Sequence, residues 1–148
     1  MVGVCEAAVG RLNKHNANRH VATVGGQECH FDSMAEHRYA EWLERQRKAK
    51  RIVSWKFHPA ALCVLADTDE LCRLNVDFAV VYKSGLFEWH EVKGMATPVW
   101  RLKRHILSVM QPDTHYVVID AGRGVCKDGN GEPALFDDRP RRKRKVKR

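Results

Sequence analysis

Three charged side chains in the middle of the chain have the types and the spacing to hold a divalent cation. Glu91 and Lys93 lie two residues apart in a run with strand character, so their side chains share one face. Asp77 interrupts an earlier apolar run, where an unpaired carboxylate would be costly. Magnesium prefers one or two carboxylates together with water and phosphate oxygens, and it would stabilise such an arrangement.

Each candidate residue also has an ordinary structural explanation. Alternating charges on an exposed strand face are common, and Lys93 could be an outward lysine that protects a sheet edge. Glu36 lies three residues after Ser33, which is the spacing of a capping box at a helix start. The residues alone leave both explanations of Glu36 open. The position of its side chain separates them, because a capping glutamate should be exposed whereas a metal ligand should face the strands.

Hydrophobic periodicity predicts two helices. The first should begin at Ser33 and run to about Ala49. Its buried side should consist of Ala35, Tyr39, Trp42, Leu43 and Gln46, and its exposed side should include Glu44, Arg45 and Lys48. The second helix should open near Pro98, where a missing N–H costs little. Its predicted buried stripe is Val99, Leu102, Ile106, Leu107 and Met110, and its predicted exposed residues are Arg101, Lys103, Arg104 and His105.

Apolar and β-branched runs predict the strands. They are Ile52 to Phe57, Ala61 to Ala66, Leu71 to Tyr82, Leu86 to Lys93 and His115 to Ala121. The third and fourth runs should form a hairpin around the turn Lys83-Ser84-Gly85. The order helix, strands, hairpin, helix, strand favours an α/β fold in which helices flank one mixed central sheet.

The net positive charge lies in the C-terminal tail, residues 139–148. The other 18 basic residues balance the 18 acidic ones, which leaves the tail to account for the net charge of +8. Such a tail should be disordered and should bind DNA through phosphates, without sequence preference; a solubilising tail and a nuclear-import signal are the alternatives. The predicted nucleic-acid contacts are Lys103, Arg104, Arg141, Arg142, Lys143, Arg144, Lys145, Lys147 and Arg148.

The length favours one compact domain, residues 27–138, preceded by a loosely packed arm over residues 1–26. Gly122 to Gly131 should be a loop. No apolar stretch approaches the roughly 20 residues of a membrane span, and Met1 to Gly10 does not resemble a secretory signal, so we expect a protein of the reducing cytoplasm. The five cysteines form no Cys-x-x-Cys pair, which argues against a disulfide framework or a zinc site.

Three short strings resemble the PD-(D/E)XK nuclease superfamily and, more narrowly, a poorly characterised phage and prophage branch of it. They are Phe31-Asp32-Ser33 with Glu36, Asn75-Val76-Asp77-Phe78, and Glu91-Val92-Lys93-Gly94. The resemblance extends from about Asn13 to Ile119 and implies a restriction-endonuclease-like core of order α-β-β-β-α-β. Val76 stands where the superfamily has proline, and His58-Pro59 stands where relatives with a glutamate on the first helix often have Gln-Pro.

The resemblance also implies roles for the site residues. Asp77, Glu91 and the backbone carbonyl of Val92 would hold magnesium, for which manganese would substitute. Lys93 would orient or help to deprotonate the attacking water, and Glu36 would complete the site from the first helix. A divalent cation there would neutralise charge that develops on the phosphate.

The combined expectation is a magnesium-dependent DNA endonuclease that selects a DNA structure, such as a branch, in phage recombination, replication or packaging. The sequence contains no predicted helix dense in Arg and Asn, so it gives no indication that bases are read in the major groove. Two alternatives remain, a non-catalytic DNA-binding module of the same fold and a nuclease that acts on RNA or on transposon ends. Such folds often act as dimers, so a homodimer is a candidate assembly, although the sequence marks no dimer surface.

Overall fold

The computed structural model describes residues 19–121 and 133–136, which form a mixed α/β fold. Within these residues the chain forms two helices and eight strands. In chain order they are β1 (His20–Val24), β2 (Gln27–Phe31), α1 (Met34–Lys48), β3 (Ile52–Phe57), β4 (Leu62–Ala66), β5 (Asp69–Leu74), β6 (Phe78–Tyr82), β7 (Phe87–Lys93), α2 (Pro98–Met110) and β8 (Tyr116–Asp120). Neither helix of this described part is long and apolar enough to cross a membrane.

Helix α1 begins where the sequence predicts, because Ser33 and Glu36 cap it reciprocally. The Ser33 hydroxyl accepts a hydrogen bond from the Glu36 backbone N–H at 3.2 Å. In return, the Glu36 carboxylate accepts bonds from the Ser33 hydroxyl at 2.8 Å and from the Asp32 backbone N–H at 3.0 Å. These bonds satisfy donors that a helix start otherwise leaves unpaired, and they hold the Glu36 side chain in one position.

A four-stranded mixed sheet in the order β3-β6-β7-β8 forms the centre of the fold. The β3–β6 and β6–β7 pairs are antiparallel, whereas β7 and β8 are parallel and are connected through α2. This arrangement confirms the predicted α/β class with a mixed sheet and two helices. Two further pairs, β1–β2 and β4–β5, form separate two-stranded sheets.

Helix α1 and a second core, built by α2 with the β4–β5 sheet, lie against opposite faces of the central sheet. Tyr39 and Leu43 of α1 share a core with Val92 of β7. Leu107 of α2 shares a second core with Trp89, also of β7. Because Trp89 and Val92 are three residues apart in one strand, their side chains point to opposite faces. The α1 side and the α2 side of the sheet are therefore both covered.

The predicted strand Leu71 to Tyr82 is wrong as a single element. Strand β5 ends at Leu74 and pairs with β4, whereas β6 begins at Phe78 and pairs with β3 and β7. The chain changes from one sheet to the other over residues 75–77, because each half finds its hydrogen-bonding partners in a different sheet. Asp77 consequently lies at the junction, directly before β6.

The predicted loose arm over residues 1–26 contains a strand at its end. Strand β1 pairs with β2 through a turn at Gly25 and Gly26, and its Val24 is buried in the α1 core. Residues 1–18 lie outside the described part of the chain, as do the predicted loop after Ala121 and the predicted basic tail.

The predicted buried stripe of α2 is wrong for most of its members. The exposed fractions are 64% for Val99, 59% for Leu102 and 42% for Met110. The residues that α2 does bury are Trp100 and Leu107. The physical reason is that α2 packs on the β4–β5 sheet with only part of its apolar surface, since the core there is small.

Glu44 was predicted to face solvent, but it is buried and links three elements. Its carboxylate accepts hydrogen bonds from Trp55 Nε1 at 3.1 Å and from the Arg47 guanidinium at 2.7 and 2.8 Å. Gly25, with φ at +59°, lies against it so closely that a Cβ there would meet Glu44 Oε2 at 2.5 Å. The bond from Arg47 lowers the pKa of Glu44 to about 2. A polar side chain at this position therefore stabilises the contact of α1 with β3 and the β1–β2 turn.

Replacing Glu44 by glutamine should lower the free energy of unfolding at neutral pH by about 1–3 kcal/mol, since the charged bond to Arg47 is lost. Because the folded-state pKa is lowered, this contribution is present above the ordinary value of 4.5 and disappears as the pH falls toward 2. Urea unfolding at several pH values should show the gap between wild type and Glu44→Gln closing on acidification. Glu41→Gln, on the exposed side of the same helix, is the control, and equal stability of Glu44→Gln and wild type at neutral pH would contradict the assignment.

Candidate metal and phosphate site

Asp77 and Glu91 lie opposite each other at the end of the β6–β7 pair. The last pair in the register of these strands is Phe78 with His90, so the next position sets Asp77 against Glu91. Asp77 Oδ2 accepts a hydrogen bond from the Val92 backbone N–H at 2.7 Å. This bond fixes the Asp77 carboxylate against β7, beside Glu91.

Glu91 and Lys93 form an ion pair on one face of β7. Lys93 Nζ donates to Glu91 Oε1 at 2.6 Å, and the Glu91 side chain is 6% exposed. The other carboxylate oxygen, Oε2, is buried and makes no hydrogen bond of good geometry among the described residues, although the Tyr116 hydroxyl lies close enough to lower the pKa of Glu91 through a hydrogen bond. A buried carboxylate oxygen without a partner is costly, and this position therefore favours a ligand.

Glu36 acts as a helix cap and also lies near the paired carboxylates. Both of its oxygens accept hydrogen bonds within the cap. Its side chain is nevertheless buried, and its charge raises the pKa of both Asp77 and Glu91. One Glu36 side chain can thus cap the helix and also lie at the site. The start of α1 therefore brings a third carboxyl group to the site.

Burial and mutual repulsion raise the pKa of the central carboxyl groups. For Asp77, loss of solvation is the largest cause, followed by the charges of Glu91 and Glu36. For Glu91, burial raises the pKa while Lys93 opposes the shift. Burial likewise raises the pKa of Glu36, against the hydrogen bonds of the cap. Asp77 and Glu91 share the nearby ammonium of Lys93, and Glu36 adds a third negative charge, so additional positive charge would be stabilising here.

His58 lies beside these groups in a backbone conformation that is uncommon outside glycine. Its φ is +43°, and its backbone N–H donates to the Asp77 carbonyl oxygen at 2.8 Å. Its ring stacks on Phe57, and its charge lowers the pKa of Glu36. His58 is therefore adjacent to both Asp77 and Glu36. The His58-Pro59 pair stands where nucleases with a glutamate on the first helix often have Gln-Pro.

A pocket of about 180 Å³ opens beside Glu91, between α2 and the end of β5. Three cationic side chains, those of Arg73, Lys93 and Lys103, contribute to its lining. Trp100 lies at its base between two cations, with Lys93 Nζ 5.2 Å and the Arg104 guanidinium 5.5 Å from its ring centre. A small pocket with this charge is suited to phosphate oxygens next to the carboxylates.

Arg73, Trp100 and Tyr116 also belong to this site, although no pattern in the sequence marks them. Trp100 Nε1 and the Tyr116 hydroxyl are buried and make no hydrogen bond of good geometry among the described residues. They nevertheless lie close to each other and to Glu91, because a hydrogen bond from Tyr116 lowers the pKa of Glu91 and one from Trp100 lowers the pKa of Tyr116. The parallel pairing of β7 with β8 sets Tyr116 beside Trp89. That register depends on residues far apart in the chain, so no local pattern would have indicated it.

The structure thus brings Glu36, Asp77, Glu91, Val92 and Lys93 together. Lys103 and Arg104 lie next to them on α2, where Lys103 Nζ donates to the Arg73 carbonyl at 2.9 Å. The predicted contacts in residues 139–148 fall outside the described residues. No group of three His, Cys, Asp or Glu side chains in the described part has the arrangement of a metal site, so this site offers two carboxylates rather than a complete cage of side chains.

Comparison with known proteins yields one family. A family model described as a protein of unknown function (DUF1064) matches residues 13–122. No match is found among curated proteins or among solved structures. The matched range includes both helices, the central sheet and all the site residues from Glu36 to Arg104.

Replacing Asp77 by asparagine should stabilise the protein at neutral pH in the presence of a chelator. The change removes one of two adjacent desolvated carboxylates, while the amide oxygen can still accept the bond from the Val92 N–H. We expect the melting temperature to rise by roughly 3–6 °C, as followed by circular dichroism. Asp69→Asn, at an exposed position of β5, is the control. A melting temperature of Asp77→Asn below that of wild type would contradict the inferred repulsion.

Proposed function

Since the chain belongs to the DUF1064 family, whose function is unknown, we propose from its site that it is a Mg²⁺-dependent DNA endonuclease that hydrolyses phosphodiester bonds. One observation carries the proposal: Asp77 and Glu91 converge from neighbouring strands, and the Lys93 ammonium lies 2.6 Å from Glu91 Oε1. Two carboxylates next to a lysine and a cationic pocket are suited to hold a divalent cation and a phosphate together.

The donor set fits a hard divalent cation. Asp77 and Glu91 supply carboxylate oxygens, of which Glu91 Oε2 makes no hydrogen bond of good geometry among the described residues. The Val92 carbonyl would be a further oxygen donor. Mg²⁺ keeps several waters and needs few protein ligands, so a site with two carboxylates suits it, and Mn²⁺ would substitute. When bound, such an ion stabilises the charge that develops on the reacting phosphate.

The other charged groups position the reacting atoms. Lys93 favours the ionised form of Glu91 and lines the pocket. From there it would orient the attacking water and counter the negative charge on the phosphate oxygens while the bond from phosphorus to the leaving sugar oxygen breaks. Contact with the Trp100 ring restricts the Lys93 side chain. Glu36, held by its cap, would accept a hydrogen bond from water in the site.

DNA is the proposed substrate because cationic groups surround the carboxylates. Arg73, whose guanidinium is paired with Glu70, and Lys103 line the same pocket, and Arg104 lies over the Trp100 ring. These side chains are placed to bind phosphates that neighbour the cleaved one, which fixes the position of the strand without reading its bases. The basic residues 139–148 would add further contacts of this kind. Selectivity for a DNA structure, such as a branch, is consistent with recognition through phosphates.

The order of the elements supports a restriction-endonuclease-like core within the mixed α/β fold. Without the two-stranded sheets β1–β2 and β4–β5, the chain follows the order α1, β3, β6, β7, α2, β8. This is the α-β-β-β-α-β order that the PD-(D/E)XK resemblance implies. Asp77 precedes β6 and Lys93 ends β7, and these positions are consistent with the hairpin that the resemblance implies.

A non-catalytic DNA-binding module of the same fold is the second candidate. Two observations favour it: the Glu91–Lys93 ion pair occupies one carboxylate oxygen, and no group of three acids is arranged around a metal position among the described residues. A nuclease for RNA or transposon ends would use the same chemistry on another polymer. Competition between labelled DNA, RNA and transposon-end substrates would show which polymer the protein cleaves.

A cleavage panel tests the proposed activity. The wild-type protein should cut at least one of branched, flapped, single-stranded and linear DNA in Mg²⁺ or Mn²⁺, and none in EDTA. Asp77→Ala and Lys93→Ala should each lower the cleavage rate by at least about 100-fold, since a cation ligand or a charge at the phosphate is removed. DNA binding by these variants, measured by fluorescence anisotropy, should change only a few-fold.

Lys83→Ala, in the exposed β6–β7 turn, is the matched control and should cut like wild type. Wild-type protein that binds every DNA in the panel and cuts none would favour the binding module. Efficient cleavage by Asp77→Ala would show that the carboxylate pair is not the site of the reaction.

A further inference from the structure

The exposed side of α2 carries an apolar stripe that the described fold leaves largely uncovered. Its exposed members are Val99 at 64%, Leu102 at 59%, Val109 at 61% and Met110 at 42%. Ile106, between them, is partly buried and packs against the α2 core. A continuous exposed apolar surface on a helix is typical of an interaction site.

The spacing within this stripe is that of a seam between paired helices. Val99, Leu102, Ile106 and Val109 are separated by three, four and three residues, as are the a and d positions of a heptad. In an antiparallel pair of identical helices, Val99 would meet Val109 of the partner subunit. Leu102 would then meet Ile106 of the partner subunit, so that every layer of the seam is apolar.

We infer that α2 is the interface of a symmetric homodimer of this chain. A second copy presents a stripe that is complementary to the first without any rearrangement, as a two-fold axis requires. Trp100 and Leu107, which anchor α2 to its own subunit, lie on the other side of the helix. The stripe can therefore pair while the helix stays attached to the β4–β5 sheet, and Val99, at one end of it, also lines the cationic pocket.

The available area matches a weak, reversible dimer. Each exposed side chain offers on the order of 100 Å² of apolar surface. The stripes of two copies, with their rims, would bury on the order of 1,000 Å² in total, which is near the lower limit for a specific interface. Dissociation in the micromolar range is the corresponding expectation.

Charge distinguishes a second copy from a polyanion on this face. Lys103 and His105 lie on the two flanks of the stripe, and α2 contains no acidic residue. Two copies bring like charges toward the seam, so added salt should strengthen self-association by screening them. A contact of this face with nucleic acid would weaken with salt instead. The sign of the salt effect therefore separates the two occupants.

Sedimentation velocity of the full chain in EDTA, from about 1 to 200 µM, tests the inference. Wild type should show a monomer–dimer equilibrium that shifts toward dimer as salt is raised. Leu102→Glu should raise the dissociation constant at least about tenfold, because a charge would enter the apolar seam. Val53→Glu introduces the same charge at an exposed apolar position of β3, remote from α2, and should dimerise like wild type.

Leu102→Ser serves as a second variant, and circular dichroism shows whether each variant is folded. A monomeric wild type over the whole range would overturn the inference, since another segment of the chain would then cover the stripe. A dimer that survives both Leu102 changes, or one that salt dissociates, would overturn it as well. The test needs no DNA and no metal, so it succeeds or fails independently of the proposed nuclease activity.

Discussion

The proximity of two poorly solvated carboxylates, Asp77 and Glu91, is the constraint on which the centre of this molecule depends. Antiparallel pairing of β6 with β7 sets them side by side, and burial raises the pKa of both. The surrounding structure offsets part of this cost with the Val92 N–H and the Lys93 ammonium. One oxygen of Glu91 still makes no hydrogen bond of good geometry within the described residues, and only the nearby Tyr116 hydroxyl approaches the carboxylate. A divalent cation is the simplest group that would neutralise the remaining negative charge of these carboxylates.

Other elements position charged groups around Asp77 and Glu91. The start of α1 delivers Glu36 through its own capping bonds, so one side chain has both a structural and an electrostatic effect. The change of sheet at residues 75–77 puts Asp77 at a junction rather than within a strand. The β4–β5 sheet and α2 then enclose the adjacent cationic pocket. The extra sheet thus contributes directly to the surface where a phosphate would bind.

Local patterns predicted those features whose causes are local. The cap at Ser33 acts within one helical turn, and the alternation of Glu91 and Lys93 follows from strand geometry alone. The break in the predicted strand Leu71 to Tyr82 could not be seen, because both halves are apolar and their partners are distant in sequence. Periodicity grouped Val99, Leu102 and Met110 correctly but assigned them to the buried side together with Leu107, because the amount of core available to cover a helix is a tertiary property. Glu44 shows the same limit, since its burial depends on Trp55 and Gly25.

Mn²⁺ binding measured by electron paramagnetic resonance would show whether Asp77 and Glu91 hold a divalent cation, as we propose. Titration of the full wild-type chain should show saturable removal of the free Mn²⁺ signal, with Mg²⁺ competing for the same site. Asp77→Asn and Glu91→Gln should abolish this binding, whereas Lys83→Ala should retain it. Unchanged Mn²⁺ binding by both carboxamide variants would contradict the account, because the ion would then be held elsewhere.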